Sequence, residues 1–239
     1  MRPLAVQLYT LRDQTDLRDT LQRLAALGYQ AVEPFNLLND PAGFRALLDE
    51  TGLAVHSAHA PLLGDAARRD EAAKALEIIG LDTAVVPFLS PDEFADLPRT
   101  AAALNDAAAW GAEHGIRVGY HNHAWELDLV DGRHALEVLV DQLDPSVFLE
   151  VDVYWAHVGG ADVPALLGRL GERVKFLHVK DGPGTPSEAM TAVGSGTLNI
   201  PEILAAAPEA MRIVELDRCD TDMWDAVADS IAYLREVDA

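Results

Sequence analysis

The segment "GYHNHAWEL", residues 119–127, contains two histidines, an asparagine, a tryptophan and a glutamate within nine residues. The preceding "GIRV", residues 115–118, is instead typical of a strand that enters an apolar core. A strand that begins in a core and ends in imidazoles and a carboxylate is typical of a barrel strand that opens into an active-site mouth. If that interpretation is correct, other strands should also end in polar residues.

The rest of the chain repeats one pattern, in which a short apolar run is followed by a polar loop and then by a segment of helical periodicity. Eight segments are predicted strands: "LAVQLYT" (4–10), "AVEPF" (31–35), "AVHSAHA" (54–60), "TAVVPFL" (83–89), "RVGYHNH" (117–123), "VFLEVDVYW" (147–155), "KFLHVKD" (175–181) and "RIVELDR" (212–218). Helices are predicted between them, and several end at a glycine, the residue that best closes a helix: Gly28, Gly52, Gly80 and Gly115.

Alternating strands and helices imply a parallel sheet, and the length of 239 residues is close to that of a closed barrel. We therefore predict a single (β/α)8 TIM barrel domain that spans residues 1–239. The alternative, an open doubly wound sheet, usually has a glycine-rich turn after its first strand, where this chain has "LYTLRDQTD", residues 8–16.

Side chains alternate along a strand, so only one parity faces the barrel axis. That parity places two imidazoles and two carboxylates at the ends of strands five to eight, with spacings of 31, 26 and 37 residues: His121, Asp152, His178 and Glu215. The same parity turns Glu150 inward with Asp152. A lone inward histidine is more often a core residue than a ligand, but four such groups in one register predict a site for one divalent ion: Mn²⁺, Zn²⁺, Co²⁺ or Fe²⁺.

The composition excludes some classes of protein. A formal charge of −21 disfavours nucleic acid and membrane surfaces as partners, although such acidity often serves only solubility. A lone cysteine, Cys219, fits a reducing cytoplasm, and the N-terminal segment is too polar for a signal peptide. No window approaches the length of a membrane span. Association into a homo-oligomer is left open.

With these features the chain resembles the xylose isomerase-like TIM barrels, which are also called the sugar phosphate isomerase/epimerase superfamily. The resemblance covers essentially the whole length and rests on six motifs in order: "VQLYTLRD" (6–13), "GYHNHAWEL" (119–127), "LEVDVYWAHVGG" (149–160), "FLHVKDG" (176–182), "VGSGTLNIPEIL" (193–204) and "IVELDRC" (213–219). It implies one divalent metal ion, held by Glu, Asp, His and Glu at the ends of strands five to eight. Asp152, His178 and Glu215 match the last three. His121 stands where the first glutamate is expected, so either His121 is the ligand, which we favour, or Glu126 folds back to replace it.

The resemblance also implies a small sugar, keto sugar or polyol as substrate. The metal would polarise a carbonyl, and Glu215, Glu126 or a histidine would remove the adjacent C–H proton. Reprotonation would give isomerisation or epimerisation, and loss of a β-hydroxyl would give dehydration, as in keto-inositol dehydratases. Lys180 would either contact substrate oxygens or pair with Asp181 or Asp217.

Other residues at the strand ends are predicted to bind substrate. Glu33, His59 and His123 would hydrogen-bond hydroxyls, and Trp155 would offer a flat face to a sugar ring. The glycines of "DGPGTP" and "VGSGT" are poor indications of a phosphate site, so a non-phosphorylated substrate is preferred.

Two other classes compete with the enzyme hypothesis. An apurinic endonuclease shares the fold, but it would need a histidine in "TAVVPFL" and a D-x-x-H motif where this chain has Asp152 followed by Val153, Tyr154 and Trp155. A sugar-binding barrel without catalysis is the other alternative, because a histidine replaces the strand-five glutamate.

Overall fold

The computed structural model describes residues 3–238. Within this range the strands are β1 (Leu4–Gln7), β2 (Ala31–Glu33), β3 (Ala58–His59), β4 (Thr83–Val86), β5 (Arg117–His121), β6 (Leu129–Val130), β7 (Arg133–His134), β8 (Phe148–Asp152), β9 (Val174–Val179) and β10 (Met211–Val214). All eight predicted strands are present. The short antiparallel hairpin of β6 and β7, which follows the fifth barrel strand, is an addition to them.

Eight of these strands form one sheet in the order β2-β1-β10-β9-β8-β5-β4-β3, and every neighbouring pair is parallel. The two ends of this sheet, β2 and β3, meet through backbone contacts rather than a regular ladder. Ala31 forms a parallel bridge with Ala54, and the His59 amide donates to the Pro34 carbonyl over 2.9 Å. The sheet is therefore a nearly closed TIM barrel, as predicted.

The helices surround the sheet: α1 (Leu17–Leu27), α2 (Pro41–Thr51), α3 (Ala66–Ile79), α4 (Pro91–Phe94), α5 (Leu97–Glu113), α6 (Ala135–Val140), α7 (Val153–Val158), α8 (Val163–Leu170), α9 (Ile200–Ala206) and α10 (Met223–Val237). Seven of them begin after an aspartate whose carboxylate accepts a first-turn N–H: Asp16, Asp40, Asp65, Asp96, Asp152, Asp162 and Asp222. Part of the acidic composition thus serves helix initiation. Gly28, Gly52 and Gly80 end α1, α2 and α3 with positive φ, as predicted.

Two segments that were predicted as strand are helical instead. Leu8–Leu11 forms a 3-10 helix instead of continuing β1, and α7 begins at Val153, directly after β8. The second difference is due to Asp152, which is both the last residue of the strand and the N-cap of the helix, its Oδ1 accepting the Trp155 N–H over 2.9 Å. Trp155 is therefore a helical residue.

The inside of the barrel is layered along its axis. Its apolar layer is one cluster of buried side chains: Ala5, Ala31, Val85, Phe148, Phe176 and Ile213. Gly119 leaves room for this layer, because a Cβ at that position would lie 2.2 Å from the Phe148 ring. On each of these strands except β4, which is followed by Pro87, the inward side chain two residues further along is polar, so the apolar layer is the floor of the mouth.

Candidate metal centre at the mouth of the barrel

The four predicted ligands lie at successive ends of neighbouring strands. His121 and Asp152 are the last residues of β5 and β8, His178 lies near the end of β9, and Glu215 directly follows β10. All four side chains are buried, and one ligand atom from each lies within 4.8 Å of the others. The structure therefore brings together the whole set that strand alternation predicted.

A lysine closes the outer side of this cluster. The Lys180 ammonium lies 2.9 Å from Asp152 Oδ2 and 2.8 Å from Glu215 Oε2. It also donates to both oxygens of Asp217 over 3.0 Å. Lys180 therefore pairs with Asp217, one of its two predicted partners. It also pairs with Asp152 and Glu215, which were not predicted as partners. The Asp217 carboxylate also accepts the Trp155 indole N–H over 3.0 Å, which fixes that ring beside the mouth.

A second layer of polar side chains lies beneath the four residues. Glu150 Oε1 lies 2.8 Å from His59 Nε2, 3.1 Å from His178 Nε2 and 3.2 Å from His121 Nδ1. Glu33 Oε2 lies 2.7 Å from His178 Nε2 and accepts the Gln7 amide N–H over 2.8 Å. Glu33 is only 1% exposed. Its predicted role as a ligand of sugar hydroxyls therefore fits poorly, because the histidines cover it.

The charges of the cluster are strongly coupled. Burial alone would raise the pKa of Glu215, but Lys180 and His178 beside it hold that pKa well below its usual range. Burial raises the pKa of Asp152 to about 6, with the neighbouring Lys180 opposing the rise. Burial works to lower the pKa of His178, yet the surrounding carboxylates of Glu150 and Glu215 raise it well above the ordinary value.

The donors present fit a divalent ion. The set supplies two imidazole nitrogens and two carboxylate oxygens, which suits borderline cations of the first transition row. The buried Asp152 Oδ2 has no aligned hydrogen bond, although Lys180 is in ion-pair range. A buried carboxylate oxygen without a donor is costly, and a cation would satisfy it. The identity of the metal stays open.

Glu126, the alternative strand-five ligand, lies outside this cluster. Its Oε1 accepts the Tyr120 hydroxyl over 2.8 Å, and its Oε2 accepts the His123 backbone N–H over 2.9 Å. Tyr120 has the opposite parity to His121, so Glu126 packs behind the strand rather than into the barrel. The structure thus favours His121 over Glu126 at the strand-five position.

Aromatic rings line one side of the mouth. The His123 imidazole is partly buried and stacks on the Trp125 ring at 4.6 Å, while Phe88 contacts both edge-on and remains 51% exposed. His123 Nδ1 is buried and lacks a hydrogen-bond partner. These rings offer an apolar face beside the cluster, and the hydrogen bonding of His123 to substrate hydroxyls stays a prediction.

A cavity of about 240 Å³ opens beside His59. It is lined by Phe35, Asn36, Leu37, Leu38, Asn39, His59, Ala60, Pro61, Arg68 and Pro87. His59 thus faces both Glu150 and this cavity, which is consistent with its predicted contact with substrate. The cavity size suits a small molecule rather than a polymer.

Two residues of the site have roles that the sequence patterns alone do not give: Gln7 and Glu150. Glu150 has a signal in the sequence, since it shares the inward parity of Asp152. The sequence signal for Gln7 is weaker, because a single amide side chain at a strand end is common in any barrel.

The chain belongs to the xylose isomerase-like TIM barrel family, whose model matches residues 21–236. An inosose dehydratase from Geobacillus kaustophilus is 28% identical over 198 residues, which are 72% of this chain and 64% of that protein. An inosose dehydratase from Mesomycoplasma hyopneumoniae is 32% identical over 97 residues, 40% of this chain and 30% of its own length. The chain therefore spans less than two thirds of these relatives.

Solved structures show the same fold. A sugar phosphate isomerase/epimerase from Parabacteroides distasonis superposes with a TM-score of 0.82 at 26% identity, over 98% of this chain and 93% of that one. A zinc-bound IOLI protein superposes with a TM-score of 0.74 at 14% identity, over 100% and 98% of the two chains. The relatives that are similar to this chain thus include two inosose dehydratases and a sugar phosphate isomerase/epimerase. Among residues 3–238, no helix has the length and apolar character needed to cross a bilayer.

Proposed function

We propose that this chain is a divalent-metal-dependent isomerase or epimerase of a sugar, keto sugar or related polyol. The observation that carries the proposal is the buried set of His121, Asp152, His178 and Glu215, which meet at the mouth of the barrel. When bound there, the ion would polarise the carbonyl of the substrate and favour loss of the adjacent proton.

Glu215 is the candidate base. Its pKa is held well below the ordinary range, so the carboxylate is ionised but is a weak base, and the acidity that a bound metal gives to the substrate C–H would have to drive proton removal. Glu215 and His121 keep slight exposure, 4% and 3%, whereas Asp152 and His178 have none, so Glu215 is the carboxylate of the set that reaches the mouth. Glu126 has no part in this proposal, since both of its oxygens have partners elsewhere.

Lys180 would orient the acidic groups and hydrogen-bond substrate oxygens. Its ammonium contacts Asp152, Glu215 and Asp217, so a fixed positive charge lies beside the proposed metal site and would stabilise negative charge that develops on a substrate oxygen. The cavity beside His59 and the rings of His123 and Trp155 would hold the rest of the molecule.

Dehydration of a keto-inositol or keto sugar is the second candidate. The similarity to two inosose dehydratases supports it, and the same first step would serve both reactions. The Lys180 ammonium, next to the candidate base, is suitably placed to protonate a departing β-hydroxyl. The two reactions differ only in the step after proton removal.

Hydrogen exchange tests the proposal. Keto sugars and inosose would be incubated in D₂O with protein loaded with Mn²⁺, Zn²⁺, Co²⁺ or Fe²⁺, and then analysed by mass spectrometry. We expect metal-dependent deuterium uptake beside the carbonyl, abolished by chelator and by Glu215→Gln. The exposed Glu172→Gln is the matched control and should exchange normally.

The products separate the candidates. A mass loss of one water identifies the dehydratase, and an isomer of unchanged heavy-atom composition identifies the isomerase or epimerase. Binding of a sugar without deuterium uptake would instead indicate a binding barrel without catalysis. The lack of nucleic acid partners, the oligomeric state and a cytoplasmic location stay predictions.

A further inference from the structure

Glu150 lies beneath the candidate metal ligands and is close to the imidazole rings of two of them, His121 and His178. His121 and His178 each stand between an outer and an inner carboxylate. His178 Nδ1 lies 2.7 Å from Glu215 Oε2, and its Nε2 lies 3.1 Å from Glu150 Oε1. His121 Nε2 lies 3.8 Å from Asp152 Oδ2, and its Nδ1 lies 3.2 Å from Glu150 Oε1. Both rings thus point one nitrogen outward and the other toward the same buried oxygen.

This arrangement allows two alternative groups of metal ligands. The outer group is His121, Asp152, His178 and Glu215, and the inner group is His59, His121, Glu150 and His178. A neutral imidazole offers one lone pair and keeps one N–H. The two shared histidines can therefore serve one group or the other, and an ion in one group makes the nitrogens facing the other group into donors.

The geometry favours the outer group as the metal site. Glu150 Oε1 already faces three imidazole nitrogens within 3.2 Å, which is the environment of a hydrogen-bond acceptor. Asp152 Oδ2 and the second Glu150 oxygen, Oε2, are both buried without an aligned donor, so this feature does not separate the two groups. The outer group also includes Glu215, which retains exposure to the mouth, whereas Glu150 is completely buried. Asp152 lies two residues nearer the mouth than Glu150 on β8, so an ion in the outer group would lie nearer to a substrate in the mouth.

We propose that Glu150 is a positioning residue that fixes the tautomers of both histidine ligands. By accepting the His121 Nδ1–H and the His178 Nε2–H, it presents His121 Nε2 and His178 Nδ1 to the metal. Carboxylates that accept the remote N–H of a ligand histidine orient the ring and strengthen the ligand. This inference rests on the metal site of the proposed function.

The His121 contact is the weaker of the two. At 3.2 Å it is within range, but the ring is not aligned and Nδ1 has no hydrogen bond in this structure. Catalytic hydrogen bonds are often poorly aligned before ligands bind and tighten afterwards. At His178 the hydrogen bond of Nε2 is to Glu33 Oε2 over 2.7 Å, and Glu150 Oε1, at 3.1 Å, is a second acceptor beside it. Glu150 is the one carboxylate within 3.2 Å of both rings among the residues described.

Metal titration of four proteins tests the inference: wild type, Glu150→Gln, Asp152→Asn and the surface control Glu172→Gln. Co²⁺ binding to metal-free protein is followed by its visible absorption and by calorimetry, and thermal unfolding confirms that each variant is folded. We expect one ion per chain in the wild type and the control, a loss of affinity of about 10–100-fold in Glu150→Gln, and little or no binding in Asp152→Asn.

Unchanged affinity in Glu150→Gln would overturn the inference and spare the proposed metal site, because it would mean that Glu150 positions nothing. Abolished binding there with normal binding in Asp152→Asn would make Glu150 a ligand of the inner group, and would overturn the outer group as the metal site as well. Failure of the wild type to bind any divalent ion would overturn the proposed function and this inference together.

A measurement on the wild type does not depend on how the variants fold. Long-range ¹H–¹⁵N spectra of the zinc-loaded protein report which imidazole nitrogen carries the proton. We expect the proton of His121 on Nδ1 and that of His178 on Nε2. The opposite tautomer in either ring would contradict the role assigned to Glu150.

Discussion

At the scale of single residues, the strand-five position decides the ligand set. His121 lies in the outer group, whereas Glu126 is held by Tyr120 and by the His123 backbone. We predict that His121→Gln lowers metal affinity by at least about 100-fold, because a ligand is lost. Glu126→Gln should bind metal like the wild type and lose about 1–2 kcal/mol of stability, because its buried hydrogen bonds weaken. Calorimetric titration and urea unfolding of both variants measure these effects, and the reverse order of affinities would identify Glu126 as the ligand.

Lys180 gives a second prediction at this scale. It is a buried cation between the carboxylates of Asp152, Glu215 and Asp217. Removing one member of a buried ion pair leaves uncompensated charge, so Lys180→Met should destabilise the metal-free protein by about 3 kcal/mol. A bound divalent ion supplies replacement charge, so metal should recover part of the loss. Urea unfolding with chelator and with Mn²⁺ measures both effects.

Lys175→Met is the control for this experiment, since Lys175 is an exposed residue of the same strand. It should change stability by less than about 0.5 kcal/mol. Equal unfolding free energies for the two variants in chelator would show that the carboxylates do not depend on Lys180.

The residues of the outer group could be predicted because strand alternation and strand ends are visible in the sequence. The sequence predicts that the Glu150 side chain points inward, but it does not predict which side chains Glu150 contacts. Its three imidazole contacts depend on the stagger between β3, β5, β8 and β9, which places residues of different strands at one height. Glu126 is ambiguous in the sequence because its direction is set by a 3-10 turn, Trp125–Leu127, whose conformation has no periodic signal.

At the scale of elements, the loop between β9 and α9 is organised around a buried carboxylate. Asp181 is 0% exposed and accepts four backbone N–H groups, from Gly182, Gly194, Gly196 and Leu198, over 2.8–3.2 Å. A Cβ on Gly196 would lie 2.0 Å from Asp181 Oδ1. The glycines of "VGSGT" therefore let the loop wrap around this aspartate, and these amides are not available to a phosphate.

We predict that Asp181→Asn lowers the unfolding free energy by about 3 kcal/mol, because an amide NH₂ would face backbone donors and charge-assisted hydrogen bonds would be lost. Urea unfolding measures the difference. Asp220→Asn, at an exposed position, is the control and should remain within about 0.5 kcal/mol of the wild type. A loss at Asp181 no larger than that of the control would mean that the loop is held by its other contacts.

The elements themselves are largely predictable, but their ends are not. The eight barrel strands have apolar runs that only a buried sheet explains, and glycines mark the ends of α1, α2 and α3. The residues after Asp152, "VYW" (153–155), are as apolar as those of a buried strand, so the sequence pattern predicts that they continue β8. A single side-chain interaction, the Asp152 cap, decides that they form a helix.

At the scale of the whole molecule, net charge and metal binding both affect stability and have to be separated. A charge of −21 repels itself, so any salt should stabilise the fold by screening. A specific ion should do more, because it binds the folded state only. At a free concentration 100 times its Kd, it contributes about 2.7 kcal/mol, which for a chain of this size raises Tm by roughly 5–10 °C.

We therefore predict that micromolar Mn²⁺, Zn²⁺ or Co²⁺ raises Tm by this amount in a saturable way, at constant ionic strength set by NaCl. Chelator should reverse the shift. Asp152→Asn removes one charge of the 21 and one ligand of the outer group, so it should abolish the metal-dependent shift while leaving the response to NaCl nearly unchanged. Differential scanning calorimetry of both proteins measures the two responses. An equal metal-dependent shift in the variant would mean that the ions act by screening the surface rather than by binding at the mouth of the barrel.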